Sequence, residues 1–166
     1  MTEKMRRARK AMKEALLSII KDENRIITDQ IDPQYLSDNL GRKKGTAEAV
    51  VFPVSTEEVS GVMRYAWENN LPVTPRGAGT NLVGSTVPSG HGIVLDVSLM
   101  NHVLELDEET FTATVEPGVV LEDFQAYVES KGLFYPPDPG EKKATIGGNI
   151  STKAVISPVL DKSKPA

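Results

Sequence analysis

The residues from Leu71 to Gly84 constrain the fold most, because they join a short apolar run to a loop with two closely spaced glycines. The loop, from Pro75 to Asn81, reads Pro-Arg-Gly-Ala-Gly-Thr-Asn. Gly77 and Gly79 can adopt positive φ or let another backbone approach closely. Successive amides in such a turn form a concave site for phosphate, and Arg76 can donate to the same oxygens. The loop therefore predicts either a phosphate or diphosphate site, or an ordinary glycine-rich turn with a solvated arginine.

Two familiar nucleotide motifs do not fit this loop. A dinucleotide fingerprint needs a third glycine three residues after the second, and that position is Leu82. A P-loop needs a lysine before its Ser or Thr, whereas Gly84 is followed directly by Ser85 and Thr86. A phosphate site here would have a different geometry.

Composition excludes several classes of protein. The 166 residues carry a net charge of −4 without a basic, aromatic-rich stripe, which argues against nucleic acid as a partner. No window approaches 18 uninterrupted apolar residues, so we expect no transmembrane segment. The basic N-terminus has no small-residue cleavage site and is not typical of a secretory signal. The absence of cysteine excludes disulfides and fits a reducing cytoplasm, where we expect the protein to be.

The first part of the chain predicts helices and parallel strands. Apolar residues from Glu3 to Ile20 recur at three- and four-residue steps, which indicates an amphipathic helix. A short extended piece and a turn-rich connection follow, and Ala49 to Val54 is a β-branched run typical of a strand. Ser55 and Glu58 form a capping box at the start of a second helix. Its predicted buried stripe is Val59, Val62, Met63 and Ala66, with Trp67 at the edge.

The glycine loop has a favourable place in this pattern. The strand ending at Val54, the capped helix and a second strand from Leu71 to Thr74 form a β-α-β unit. The loop leaves the carboxyl end of the second strand, which is where open α/β sheets bind ligands. This position favours the phosphate-binding interpretation.

The second part of the chain predicts antiparallel structure. Gly92 to Val97 is a third strand, and the runs Val103–Leu106 and Phe111–Val115 indicate a hairpin. Leu121, Phe124, Tyr127 and Val128 share the face of a further helix that ends near Gly132. The predicted fold class is therefore α+β, a mixed α/β arrangement of two small subdomains. A parallel β-α-β portion is followed by an antiparallel sheet with helices.

A second glycine cluster follows the proline-rich segment from Leu133 to Gly140. Ala144 to Asn149 reads Ala-Thr-Ile-Gly-Gly-Asn and offers adjacent flexible amides, with Thr145 and Asn149 as side-chain donors. Taken alone, this cluster is a turn as often as a binding site.

Read together, these segments resemble the PCMH-type flavin-binding domain of the vanillyl-alcohol oxidase superfamily. They are most similar to the FAD-linked 2-hydroxyacid dehydrogenases of the glycolate oxidase and D-lactate dehydrogenase group. The resemblance covers about Ala47 to Thr152 and rests on five stretches in one order: Pro75–Asn81, Gly92–Asp96, Thr114–Val119, Tyr135–Pro139 and Ala144–Asn149.

The resemblance implies a non-covalently bound FAD as the cofactor. The first loop would wrap the diphosphate, Pro137 and Asp138 would lie along the cofactor, and the second cluster would complete the cradle. Some relatives attach FAD through a histidine in the first loop, whereas this chain has Ala78 and Thr80 there. The implied site residues are Pro75, Arg76, Gly77, Ala78, Gly79, Thr80, Asn81, Pro137, Asp138, Ala144, Thr145, Gly147, Gly148 and Asn149.

The family pattern breaks at Lys153. Family members continue with an alanine and glycines, further strands and a substrate-binding cap domain. We therefore expect an incomplete FAD-binding domain at 47–152, truncated at its C-terminus, after a helical segment at 1–46 and before a polar tail at 153–166. A 2-hydroxy acid substrate would require the cap domain. Apolar surface normally covered by the missing parts would favour self-association or a partner subunit.

The reaction implied by the resemblance is hydride transfer from a 2-hydroxy acid to the flavin, but the catalytic residues are unknown. We interpret His91 and His102, the only histidines, as surface or structural residues, and we expect no metal site. Two alternatives stay open. The chain could be a non-catalytic module that binds nucleotide weakly or assembles with a partner chain, or a reductase of peptidoglycan precursors from the same superfamily.

Overall fold

A four-stranded sheet organises the first part of the molecule. The computed structural model describes residues 3–137 and 139–154, so Asp138 and most of the predicted polar tail lie outside the described residues. In chain order the strands are β1 (Ile26–Ile27), β2 (Ala47–Val51), β3 (Val73–Arg76) and β4 (Gly92–Asp96). Their spatial order is β1-β2-β4-β3, with β4 parallel to both neighbours and β1 antiparallel at the edge. The strands of the predicted β-α-β unit are thus parallel but separated by β4.

The two helices that the sequence pattern predicted cover one face of this sheet. They are α1 (Glu3–Ile20) and α2 (Thr56–Glu68). The helices approach closely at Gly61, where an added Cβ would lie 2.6 Å from Ile19. Because α1 shares this core with the sheet, it packs as an integral layer of the fold. The buried core residues are Met12, Leu16, Ile20, Ile26, Ala49, Val51, Val62, Ala66, Ile93 and Leu95.

The predicted stripe of α2 is partly wrong. Val62 and Ala66 are buried and Val59 packs against them, but Met63 is 47% exposed and Trp67 is 85% exposed. Successive helix residues are about 100° apart, so the residue after Val62 and the residue after Ala66 both turn away from the sheet. The buried stripe of α2 is therefore narrower than the apolar pattern suggests.

The start of α2 differs from a simple capping box. The Ser55 hydroxyl accepts from the Glu58 amide at 3.2 Å, as predicted. The Glu58 carboxylate accepts from the Val54 amide and not from that of Ser55, and it also accepts two bonds from Arg25, at 2.5 and 2.9 Å. Arg25 in turn donates to the carbonyls of Ile20 and Phe52. One ion pair therefore joins the end of α1, the end of β2 and the start of α2.

The second part of the molecule is a hairpin with two helices, and the mixed fold class is confirmed. The elements are β5 (Val103–Asp107), β6 (Thr112–Val115), α3 (Leu121–Glu129) and α4 (Ile146–Thr152). Their core is formed by Val119, Leu121, Phe124, Val128 and Ile146. The short helix α4 was not predicted; it lies where the sequence indicated a flexible glycine cluster. None of the helices within the described ranges has the length and apolar character needed to cross a membrane.

Replacing Glu58 by Gln should lower stability in a pH-dependent way. The hydrogen bonds from Arg25 hold the pKa of Glu58 below its ordinary value of 4.5. A lowered pKa gives stability that is fully present above the ordinary value and is lost as pH falls through the folded-state value. We expect E58Q to lower the free energy of unfolding by about 1–3 kcal/mol at pH 7 and to flatten its decline below pH 4.5. Urea unfolding at a series of pH values measures the free energy of unfolding and its decline at low pH. E68Q, at the exposed end of α2, is the control, and equal pH profiles for E58Q and wild type would contradict this assignment.

Candidate functional site

The two glycine segments meet at the carboxyl edge of the parallel strands. Residues 77–81 follow β3, and Thr145 immediately precedes α4. Two adjoining cavities of about 310 and 90 Å³ open between them. Both cavities are lined by Gly77, Ser85, Thr86, Thr145, Gly148 and Thr152. The segments therefore form opposite walls of one groove.

The contact between these walls requires glycine. A Cβ added to Gly77 would lie 2.3 Å from the Thr145 hydroxyl oxygen. Real Cβ atoms essentially never come this close, so any side chain at Gly77 would push the walls apart. Gly147 has a similar role on the other side, because its added Cβ would lie 2.7 Å from Pro117.

The first loop leaves its main-chain donors unused. Within the described part of the chain, none of the five amides from Gly77 to Asn81 donates a hydrogen bond to the protein. The shape of the loop is fixed by other groups instead. The Asn81 side-chain oxygen accepts from the amides of Val83 and Ser85, and the Asn81 carbonyl accepts from Asn39. A loop held rigidly with its amides free is suited to bind an anion.

The Arg76 side chain lies beneath this loop and is only 8% exposed. Its guanidinium stacks over the Tyr35 ring at 5.7 Å, lies 4.0 Å from the Asp96 carboxylate and donates to the Ser37 carbonyl at 3.5 Å. The loop wraps tightly around it, because an added Cβ on Gly79 would lie 2.0 Å from the guanidinium. Gly79 also has φ +72, which favours glycine. Arg76 thus supports the loop from inside.

Burial dominates the electrostatics of the Arg76–Asp96 pair. It lowers the pKa of Arg76 and raises the pKa of Asp96, although the attraction between the two opposes both shifts. The Asp96 carboxylate is further held by the Ser98 amide at 2.9 Å. Arg76 is the only charged residue among those that line the two cavities in the described structure. Because the Asp96 carboxylate offsets this charge from 4.0 Å away, the attraction for an anion above the loop comes chiefly from the loop amides.

The second glycine cluster contributes differently from the prediction. It forms α4, and the amides of residues 146–149 all donate hydrogen bonds within the protein. They donate to the carbonyls of Val119, Pro117 and Thr145 and to the Thr145 hydroxyl. The adjacent amides that the sequence indicated as flexible are thus occupied from Ile146 to Asn149 by helix formation and by packing against the turn at Pro117. The Thr145 hydroxyl accepts from Gly148 and keeps its proton available for donation.

Most of the predicted site residues lie at the groove. All of Pro75–Asn81, together with Ala144, Thr145, Gly147, Gly148 and Asn149, line one or both cavities. Pro137 does not line them; its carbonyl accepts from Gln125 at 3.0 Å. Some lining residues were absent from the predicted site. Pro117 lies in the matching stretch Thr114–Val119 and Val97 ends a predicted strand, whereas the others had no signal beyond nearness to a glycine segment: Ser85, Thr86, Ser151 and Thr152.

The histidines lie outside the groove. His91 and His102 line neither cavity and are 77% and 72% exposed. Each imidazole lies 2.7 Å from a glutamate, Glu48 for His91 and Glu116 for His102. Both are therefore surface imidazoles, each in contact with one glutamate carboxylate.

Comparison with known proteins identifies the domain. A family model described as "FAD binding domain" matches residues 47–157. The chain belongs to this family. The match covers both glycine segments and every strand from β2 to β6.

Two proteins that are similar in sequence to this chain have names that describe enzymes acting on 2-hydroxy acids. The chain is 44% identical to glycolate oxidase subunit GlcD of Bacillus subtilis over 143 residues, which is 86% of this chain and 30% of that protein. It is 42% identical to D-lactate dehydrogenase of Anaerostipes hadrus over 130 residues, 78% of this chain and 27% of that protein. The chain therefore spans less than a third of the length of these relatives.

A solved structure supports the fold. p-Cresol methylhydroxylase with substrate bound matches with a TM-score of 0.73 and 22% identity, over 93% of this chain and 30% of that chain. This likeness extends beyond the family match to include most of the N-terminal segment.

Replacing Gly77 by Ala should open the groove. The new methyl group would displace the Thr145 hydroxyl, which caps α4, and lower the free energy of unfolding by about 1–2 kcal/mol. We expect FAD affinity to fall at least about tenfold, since the cradle depends on this contact. Gly140→Ala is the matched control, because nothing lies within 4 Å of its added Cβ. Urea unfolding and FAD fluorescence polarisation test both variants, and a G77A protein that binds FAD like G140A would contradict the proposed geometry.

Proposed function

We propose that this chain binds FAD non-covalently through its diphosphate and forms the flavin-binding portion of an FAD-linked oxidoreductase that acts on a 2-hydroxy acid. The observation that carries the proposal is the loop of five free amides from Gly77 to Asn81, facing α4 across a narrow groove. Family membership and the printed activities of the relatives support it.

The described residues fit a diphosphate. Main-chain donors are suited to phosphate oxygens, and the close approach at Gly77 and Gly79 leaves no side chain in the way. We propose that the amides of 77–81 and the Thr145 hydroxyl donate to the phosphates, while Ala144, Gly148 and Asn149 form the facing wall. Pro137 and Asp138 remain predictions. FAD, when bound, would supply the redox chemistry, and these residues would hold and orient it.

We propose that the groups that bind the substrate and remove its proton lie outside this groove. In the described structure the groove contains no carboxylate or imidazole that could serve as a general base. We therefore propose that this chain alone binds FAD without turning over glycolate or D-lactate. The relatives' names support the class of substrate, a 2-hydroxy acid, and differ in the acid that they name. The expected cytoplasmic location stays a prediction.

Competition between nucleotides tests the proposed function. Fluorescence polarisation of FAD should rise when purified protein is added, ADP should compete because it shares the diphosphate, and riboflavin should not. Gly79→Val should abolish binding, whereas Gly90→Val should retain it. Both glycines have positive φ, +72 and +75, but only Gly79 touches Arg76. No rise in polarisation, or equal competition by riboflavin and ADP, would contradict the proposal.

The mode of attachment has its own test. Acid precipitation of the FAD-loaded protein should leave all flavin in the supernatant. Flavin that stays with the pellet would contradict non-covalent binding while leaving the diphosphate site intact.

A second feature favours assembly with another chain. An apolar groove of about 560 Å³ lies between the β5–β6 hairpin, α3 and α4. Three of its lining residues are largely exposed: Phe111 at 77%, Phe134 at 72% and Ile150 at 73%. Among the described residues β5 and β6 pair only with each other, so each has an open edge. We propose that a second copy of the chain covers this surface when the protein is isolated.

Sedimentation velocity tests this self-association. Wild type should show a concentration-dependent increase in mass, and the F111S/F134S double variant should stay monomeric because its groove is less apolar. W67S is the matched control, since Trp67 is 85% exposed but lies on α2, outside the groove. A wild-type protein that is strictly monomeric at high concentration would contradict the proposal.

A further inference from the structure

Among the described residues that line both cavities, Thr86 is the one whose hydroxyl is buried without a partner. It lies on the shared rim of the two cavities, and its hydroxyl oxygen makes no hydrogen bond within the described structure. A buried hydroxyl without a partner destabilises a fold, so native proteins rarely keep one without a reason. Its position between the glycine segments suggests what the missing partner is.

The other hydroxyls on this rim are accounted for. The Thr145 hydroxyl accepts from the Gly148 amide at 3.2 Å, and the Thr152 hydroxyl donates to the Gly148 carbonyl at 2.8 Å. Ser85 is exposed, so water can satisfy it. In the part of the chain that the structure describes, the Thr86 hydroxyl is the one on this rim that has neither a protein partner nor access to solvent.

The backbone around Thr86 is held in place from both sides. The Asn81 side chain accepts from the amides of Val83 and Ser85, and the Val87 amide donates to the Gly84 carbonyl at 3.2 Å. The Thr86 backbone therefore stays at the rim, and a change of about 120° in χ1 moves its hydroxyl to another staggered position. Because the hydroxyl is buried in the ligand-free structure, such a rotation would be needed for it to meet a ligand oxygen in the groove.

We propose that Thr86 is a further ligand-binding residue, whose hydroxyl donates to a phosphate oxygen of the bound dinucleotide. The inference rests on the proposed function, because it assumes a diphosphate in this groove. Thr86 would add a third segment of the chain to the phosphate site, besides the loop from Gly77 to Asn81 and the Thr145 hydroxyl. The orphaned hydroxyl is then satisfied when the ligand binds.

Three variants test this role in binding. T86V keeps the side-chain shape and removes the hydroxyl, T86S keeps the hydroxyl, and T114V makes the same chemical change at an exposed site on β6. We expect the dissociation constant for FAD, measured by fluorescence polarisation, to rise about tenfold in T86V. T86S and T114V should stay close to wild type.

Unfolding without ligand separates binding from structure. Because T86V removes an unsatisfied hydroxyl, its urea midpoint without FAD should equal or exceed that of wild type. If T86V does not fold, T86A compared with T86S gives the same test.

Each other outcome overturns the inference. FAD affinity in T86V equal to wild type would refute the contact while leaving the proposed function standing. A lower ligand-free midpoint in T86V that accounts for its weaker binding would assign Thr86 a structural role. Failure of wild type itself to bind FAD would overturn both proposals.

Discussion

The buried guanidinium of Arg76 is the interaction on which the site depends. It lies at the end of β3 between the Tyr35 ring and the Asp96 carboxylate, and the glycine loop closes over it without room for a side chain at Gly79. Burying this cation is unfavourable unless its partners stay in place. The same packing therefore helps to fix the path of the loop, whose amides from Gly77 to Asn81 donate no hydrogen bond to another described residue.

The two glycine segments have different physical roles. In the first, glycine permits a loop whose amides remain free. In the second, Gly147 and Gly148 begin a short helix whose amides are bonded to the preceding turn, and glycine serves close packing against Pro117. The proposed anion site thus combines donors from one wall with shape and hydroxyl groups from the other. Neither segment would form the groove alone.

Much of the fold could be predicted from local patterns. Helical periodicity indicated α1 and α2, and short apolar or alternating runs bounded by turn residues indicated the parallel strands and the hairpin. The features that were missed depend on distant residues. The inward position of Arg76 requires Tyr35 and Ser37, about 40 positions away. Helix α4 is hidden by two glycines of low helix propensity and forms through tertiary hydrogen bonds. Thr86 belongs to no motif, and only the structure shows that it lines the groove and that its hydroxyl is buried without a partner.

The amide chemical shifts of ¹⁵N-labelled protein, recorded with and without FAD, test the central claim most directly. If the diphosphate is bound by main-chain nitrogen of the first loop, the amide protons of 77–81 should move downfield. Those of Gly147 and Gly148, already bonded within the protein, should change much less. Binding that leaves residues 77–81 unchanged and instead perturbs the apolar groove around Phe111 and Phe134 would contradict this account.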